Sequence, residues 1–394
     1  MNTNAPVSHF DSLKQIGYYI AYVDNTGIEK TFPIEAGNMA DIQINWDSTE
    51  LYVEGYCLFN DQMKLTEMLP ATTNFYFKIK VSDFTKSVYE EEFIITRIER
   101  QLSNNKNLTV KFTFVDRVYY YLANTFVSRG YNDVTSTDVI KDIIEDKKLF
   151  PKGLTRKTLN FNKSPVVYSE LVIPTNKPFV AFIKAKELRD GFSLIQSRSA
   201  LTTISHEHLE SYLPDLYGDG KGIKFVYDNV MDEMNPFKIK NIKFLSSDNL
   251  LFNATLPDCV SYEFKQGDMS KPIVMINDVG TYSNSIGDTS TLLSLNSTTG
   301  FRRVEVTSQD SIKRFYKFKL LETTLIEITV TGMFFYQLLW KVGLDLKTTA
   351  DGYQGKMPYV NGAWHILKIV DKYSGTNFNQ VITLGRVGIS NVSK

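Results

Sequence analysis

Alternation of apolar and polar residues with a period of two is the feature that most constrains this sequence. In ADIQINW (Ala40–Trp46) every second residue is Ile, Ile or Trp, and Asp, Gln and Asn stand between them. LTVKFTFVD (Leu108–Asp116) shows the same pattern with Leu, Val and Phe. Because successive side chains of a strand point to opposite faces, the pattern predicts half-buried antiparallel strands.

The alternation divides the chain into two β regions around a different middle part. We predict six or more antiparallel strands within 16–116, typical of a sandwich or barrel. The predicted domains are a first β domain over 10–116, an α+β module with its linker over 117–220, and a second β domain over 221–277 and 316–394. A polar excursion over 278–315, rich in Ser, Thr, Gly and Asn over 278–300, interrupts the second β domain.

The middle part has the helix signals of the chain. A first predicted helix begins near Asp116 and stops at Gly130, and a second follows Thr135, which with Asp138 has capping-box spacing. A third lies in Lys177–Gly191 and ends at its glycine. A hairpin, FSLIQS and ALTTISHEHL, comes next, and YGDGKG reads as a linker. Further along, SQDSIKRFYKFKLLETT is compatible with one more helix.

Composition excludes several classes of protein. Lys and Arg number 44, as do Asp and Glu, so net charge gives no sign of a nucleic-acid or anionic-membrane partner. The cysteines, Cys57 and Cys259, are too far apart for a disulfide framework or a structural zinc site, which favours folding in a reducing cytoplasm. We expect no signal peptide, because the first residues are polar, and no membrane-spanning helix, because no apolar run is long enough.

The paired histidines are the best metal candidate. His206 and His208 lie at i and i+2 of a predicted strand, hence on one face, with Glu207 and Glu210 nearby. Glu207 would point to the other face and no third histidine is close, so we interpret the pair as part of a solvated strand face.

Other candidates for chemistry also have simpler interpretations. His365 has no nucleophile motif nearby, which favours a packed or rim position on its strand. GDGKG lacks the spacing of a phosphate-binding loop, and the three acids of YEEEF (Tyr89–Phe93) point to alternate faces, which favours solvated-edge or channel-facing charges. We therefore predict no catalytic, cofactor-binding or metal-binding residue, and no enzyme. Aromatic content is 13% with four histidines, which favours a protein built to assemble.

Four segments together have the pattern of one known family. EGYCLFNDQMKLTEML and TNFYFKIKVSD look like middle strands of a tail-tube-type barrel, and SRGYNDVTSTDVIKDIIEDKKL with NKPFVAFIKAKELRDGFSLIQSRSALTTIS is similar to an α+β module. NDVGTYSNSIGD resembles a polar excursion, and TLIEITVTG, VGLDLK and VNGAWHILKIVDKYSGTNFNQVITLGRVG resemble closing strands. The family is the baseplate hub, or tail hub, proteins of contractile-tailed bacteriophages and related injection machines. One departure is MFFYQLLWKVGLDL, which is more apolar than the family pattern.

The resemblance implies a mainly β fold with two tail-tube-like antiparallel β-barrel domains flanking a small α+β module. It implies a homotrimer whose six barrels surround a channel, joining the six-fold tail tube to the three-fold central spike. The implied partners are the tube protein, the spike and other baseplate proteins, with DNA only as cargo and with no membrane and no cofactor. The implied location is the tail baseplate of a virion made in the bacterial cytoplasm.

Three alternatives remain open at this point. A receptor-binding or carbohydrate-binding tail protein would use exposed aromatic residues. A hexameric distal tail adaptor would share the β-rich composition. A tail-associated hydrolase is disfavoured, because the sequence shows no Glu/Asp, Ser/His or Cys/His set.

Overall fold

The structure is a computed structural model that describes residues 15–245 and 321–386, with interruptions of which 212–221 is the longest. Between these stretches it describes strands at 258–265, 268–276 and 303–306, and Phe318. The YGDGKG linker, the excursion over 278–315 and the helix considered at 308–324 lie outside the described residues for most of their length. None of the described helices is long and apolar enough to cross a membrane.

The N-terminal β region is an antiparallel sheet in the order β3-β4-β7-β6-β5-β1-β2. Its strands are β1 Gln15–Val23, β2 Glu29–Ile34, β3 Met39–Asp47, β4 Glu54–Asn60, β5 Phe75–Ser82, β6 Ser87–Leu102 and β7 Leu108–Asp116. In β3 the side chains of Ile42, Ile44 and Trp46 are buried and those between them are not. The antiparallel strands predicted from alternation within 16–116 are therefore confirmed.

The α+β module has a second hydrophobic core, to which the N-terminal β region contributes Leu51, whereas Ile195 and Ile204 of the module belong to the core of the β regions. Its helices are α1 Arg117–Asn124, α2 Ser136–Glu145 and α3 Phe179–Asp190. Its strands are β8 Gly130–Thr135, β9 Thr158–Phe161, β10 Val167–Val172, β11 Phe192–Gln196 and β12 Ala200–Ser205. β8 pairs with β10, and β11, β12 and β9 form a second small sheet.

Local signals predicted two of the three helix boundaries well. Thr135 and Asp138 form the predicted capping box at the start of α2. Gly191 ends α3 in the left-handed conformation (φ 70°), which glycine adopts without the steric cost of a Cβ. The end of α1 at Gly130 was wrong, because the helix stops at Asn124. Thr125, the residue after it, is extended, and its carbonyl oxygen accepts a hydrogen bond from the backbone of Phe179.

The C-terminal β region contains β13 Lys224–Tyr227, β14 Asn241–Leu245, β18 Thr324–Thr331, β19 Lys341–Ala350, β20 Tyr353–Lys356, β21 Gly362–Ser374 and β22 Asn377–Arg386. A separate three-stranded sheet consists of β15 Asp258–Lys265, β16 Asp268–Ile276 and β17 Arg303–Val306. Most pairings are antiparallel. The exceptions among the described strands are β13 with β19, β12 with β9 and β15 with β17.

Strand β21 belongs to both β regions. One edge of β21 has two partners in succession. Its first part, Gly362 to His365, pairs with β19, and its later part, Lys368 to Tyr373, pairs with β3. β22 covers the other edge. The two β regions therefore join edge to edge in one continuous sheet, through six residue pairs that we call the seam: 42–47 of β3 with 368–373 of β21.

A β-bulge lies where β21 changes partner. The register shifts between Ile366 and Lys368, so Trp364 and Ile366 before the shift share a buried face with Ile369 and Asp371 after it. Before the shift the opposite face is buried too, at His365 and Leu367. An uninterrupted alternation, which places Lys368 on the face of Trp364 and Ile366, was therefore wrong. The extra residue of a bulge bends the strand and reverses its faces.

One apolar cluster runs through both β regions. It contains Trp46 and Ile44 from β3 as well as Ile369 and Tyr373 from β21. The edge of the Tyr18 ring contacts Tyr373 across this core, with ring centroids 6.3 Å apart. The predicted fold class, mainly β with an α+β insert, is confirmed. The division into four domains stays a prediction.

Candidate functional site

The predicted histidine pair is split by the structure. His206 and His208 lie on a 3-10 helix, not on a strand, and His208 is exposed whereas His206 is buried. Nε2 of His206 is 2.8 Å from the Ser193 hydroxyl, and its ring stacks on Phe318. The interpretation as one solvated strand face was wrong, because two residues of a 3-10 turn point in different directions. Among the described residues no group of three or more His, Cys, Asp or Glu side chains is arranged to hold a metal ion.

His365 is packed, as the sequence predicted, at the start of β21. It is 3% exposed, and its Nδ1 donates a 3.1 Å hydrogen bond to the carbonyl oxygen of Leu339. Leu339 has a positive φ of 63°, which is costly for a residue with a Cβ. The backbone of Leu339 also donates to the carbonyl oxygen of Ile366. His365 therefore helps to hold a strained turn beside the bulge.

The three acids of YEEEF point to alternate faces, but they are less solvated than expected. Glu91 is buried and accepts from Lys157 at 2.6 Å. Glu92 lies 2.8 Å from Nζ of Lys78, which also contacts Glu29 at 2.7 Å. Burial lowers the pKa of Lys78, but its hydrogen bonds to the two carboxylates outweigh this and hold it above its usual value. The structure thus places charges of β6 in partly buried ion pairs.

Asp371 is the polar centre of the seam. It occupies an inward position of β21 between Ile369 and Tyr373 and is completely buried. The indole N–H of Trp46, on β3, donates to its Oδ2 at 2.8 Å, and the amide of Gln380, on β22, donates to its Oδ1 at 2.7 Å. A buried carboxylate is costly unless its oxygens are satisfied in this way.

The charge opposite Asp371 comes from the α+β module. Arg198 lies in the turn between β11 and β12, and its Nη2 binds both carboxylate oxygens of Asp371. Its Nη1 is 3.4 Å from the carbonyl oxygen of Tyr336. The guanidinium lies over the Trp46 ring, 5.1 Å from its centroid. With both side chains buried, this is an ion pair in a low-dielectric environment.

The same turn also contacts the N-terminal β region. Nζ of Lys157 donates to the carbonyl oxygen of Ser197 at 2.9 Å and contacts Glu91 of β6 at 2.6 Å. It also lies 5.2 Å from the centre of the Trp46 ring. The turn of 197–198 is therefore bound to one β region through Lys157 and to the other through Arg198.

A third buried carboxylate, Asp116, lies where β7 meets α1. It caps the helix by accepting from the backbone of Tyr119 at 2.8 Å, and it accepts from the backbone of Val53 at 3.2 Å. Burial raises the pKa of Asp116 to about 6, although these two hydrogen bonds and the charge of Lys157 oppose the rise.

Sequence reasoning missed this set of residues. Asp371 carried a signal, since an acid flanked at i−2 and i+2 by Ile369 and Tyr373 falls on a buried face once the strand is read with period two. Its partner Arg198, 173 residues earlier, carried none. Each oxygen of Asp371 is occupied by donors from the protein itself. The arrangement therefore orders and orients the elements that meet at the seam.

The fold has known counterparts. No protein-family model matches the sequence, and no curated protein matches it significantly. Among solved structures, it is similar to a tail protein from Neisseria meningitidis MC58, with a TM-score of 0.55, 12% identity, and coverage of 95% of this chain and 98% of that one. The 43 kDa tail protein of prophage MuSo2 from Shewanella oneidensis gives a TM-score of 0.53 at 10% identity, with coverage of 94% and 98%.

A third similar structure comes from a secretion machine. The E. coli c3393 protein is a component of the type VI secretion system and is described as similar to the T4 bacteriophage tail proteins gp27 and gp5. It gives a TM-score of 0.50 at 7% identity, with coverage of 90% of this chain and 76% of that one. The likeness extends over nearly the whole chain, so the resemblance to tail hub proteins expected from the sequence is confirmed at the level of fold: this chain has the fold of phage tail proteins.

Proposed function

We propose that this protein is a structural hub of a phage tail baseplate, a trimeric ring that joins the six-fold tail tube to the three-fold central spike. The single observation that carries the proposal is the seam, since one chain contains two β regions that lie side by side in one continuous sheet. Three such chains would present six β regions around an axis. That number matches a six-fold tube while the assembly itself keeps three-fold symmetry.

The ends of the sheet support association between copies. β14 and β2 end the longest path of paired strands among the described residues. Unpaired strand edges favour pairing with another chain. Head-to-tail contacts between different edges of successive copies close into a ring when the rotation between copies fits. Pro33, which lacks a backbone N–H, lies within β2 and would restrict the registers available there.

The role that we propose is mechanical rather than enzymatic. The buried polar groups at the seam are engaged with each other, as expected for residues that order a junction. The partners that follow are a second and third copy, the tube protein, the spike and neighbouring baseplate proteins, in the tail of a virion. DNA would pass through the channel as cargo.

The test is the mass and shape of the purified protein. Light scattering should give about 135 kDa, three chains of 45.1 kDa, and negative-stain averages of the same peak should show a ring with a central hole. A hexamer would replace the hub with a distal tail adaptor. A monomer that stays monomeric when mixed with tube and spike proteins, and that binds glycans on an array, would replace it with a carbohydrate-binding tail protein.

A further inference from the structure

We propose that the turn between β11 and β12 is an internal clamp that sets the angle between the two β regions. In this proposal the seam is a hinge, and the α+β module holds it closed through Arg198 and Ser197. The inference goes beyond the hub function and does not depend on it, because it concerns the single chain.

The seam is a connection of ordinary length with an irregular start. It has six residue pairs, as many as β3 shares with β4 inside the N-terminal region, and it begins beside the bulge at Ile366–Lys368. Bulges bend a strand and increase its local twist, so the backbone of β21 does not by itself dictate one angle between the regions. Side chains that bridge the seam therefore have to set the angle between the two β regions.

Asp371 supplies the bridging contacts from the C-terminal β region. Its carboxylate lies in the middle of the seam and binds groups from three other elements: Trp46 on β3, Gln380 on β22 and Arg198 on the module. Gln380 is itself held, because its side-chain oxygen accepts from the backbone of Met333 at 2.7 Å. A rotation about the seam would separate these groups inside a buried environment, where an unpaired charge is costly.

Lys157 supplies the bridging contacts from the N-terminal β region. Glu91 of β6 binds Lys157, which in turn binds the carbonyl oxygen of Ser197. Since Ser197 and Arg198 are adjacent, the turn cannot follow one β region without breaking its bonds to the other. Arg198 and Lys157 both lie over the Trp46 ring, 5.1 and 5.2 Å from its centroid. In this proposal the buried ionic groups select one arrangement of the two β regions more than they add net stability.

The test is a distance measurement across the seam in the full chain. Spin labels at Arg97→Cys, exposed on β6, and Lys243→Cys, exposed on β14, are introduced in a Cys57→Ala/Cys259→Ala background, and pulsed electron resonance gives the distance distribution. The labelled chain that retains Arg198 should give one narrow distribution of distances. Arg198→Met should broaden it at least about twofold, because hinge motions change distances between rigid bodies.

The double variant Arg198→Met/Asp371→Asn keeps the test decisive if the single change prevents folding. It removes both charges, so no buried charge is left unpaired, and the amide oxygen of Asn still accepts one hydrogen bond. We expect the same broadening. Amide exchange in 39–47 and 368–374 should also accelerate at least about tenfold, while β4 and β7 stay protected.

Arg100→Met is the matched control. Arg100 also donates from Nη2 to a backbone carbonyl, that of Thr66 at 2.8 Å, but both residues belong to the N-terminal region. Its removal should leave the distance distribution narrow. A narrow distribution in the double variant, or equal broadening in the Arg100→Met control, would overturn the clamp.

Discussion

Replacement of Asp116 with Asn should change how the stability of this protein depends on pH. Asp116 is fully buried at the start of α1, and burial raises the pKa of its carboxyl from the ordinary 3.8 to about 6. In the unfolded chain the carboxyl returns to its ordinary value. Between these two pKa values the folded protein therefore holds a proton that the unfolded chain has released.

The sign and size of the effect follow from proton linkage. The contribution of the Asp116 carboxyl to the free energy of unfolding is fully present below pH 3.8 and is lost as the pH rises through about 6. Each unit of pKa difference corresponds to about 1.36 kcal/mol, so the loss between about pH 4 and pH 7 is about 3 kcal/mol. Asp116→Asn is neutral throughout and should not show this loss.

The assay is urea unfolding of both proteins at several pH values from 4 to 8, followed by circular dichroism. The difference between the free energies of unfolding of the parent and of Asp116→Asn at each pH removes the contributions of all other titrating groups. The Asn amide faces the backbone N–H of Val53, which adds a cost to the variant that is independent of pH. Asp142→Asn, at an exposed position of α2, is the control and should retain the pH dependence of the parent. A difference between parent and Asp116→Asn that is equal at pH 4 and pH 7 would refute the reasoning.

Three further predictions concern buried polar groups. Trp46→Phe keeps a ring in the core but removes a donor from Asp371, and it should lower the free energy of unfolding by about 1–3 kcal/mol in urea titrations. His365→Ala releases the carbonyl oxygen of Leu339, so the melting temperature should fall while the mass measured by light scattering is unchanged; a lost assembly with an unchanged melting temperature would contradict this. Burial lowers the pKa of Lys186 to about 8, so its charge opposes folding at neutral pH. Lys186→Met should therefore raise the melting temperature near pH 6. This gain should shrink as the pH rises from about 8 through 10.5, the ordinary pKa that the lysine has in the unfolded chain, and vanish once the lysine is neutral in both states.

Local physics explains how much of this fold the sequence predicted. The alternation in Ala40–Trp46 identifies a strand because a period of two is a property of the strand alone. Thr135 and Asp138 identify a helix start because the capping box joins residues three apart. Gly191 ends its helix for an equally local reason. None of these signals depends on where another element lies.

Tertiary contacts decided the parts that the sequence left open. α1 ends at Asn124, six residues before the glycine that a local signal favours, because the backbone that follows bonds to residues after 170. His206 was expected in solvent, but the turn that follows β12 places it against Ser193 and Phe318. In both cases a distant segment supplied the bond that changed the outcome.

The candidate site shows the same division. Most strands of the two β regions, two helix boundaries and the succession of β, α+β and β follow from the sequence, since these depend on neighbours along the chain. The passage of β21 from one β region to the other at a bulge, and the meeting of Asp371 with Arg198 there, came only with the folded chain. The energy of a buried charge depends on its partner, and here that partner is 173 residues away.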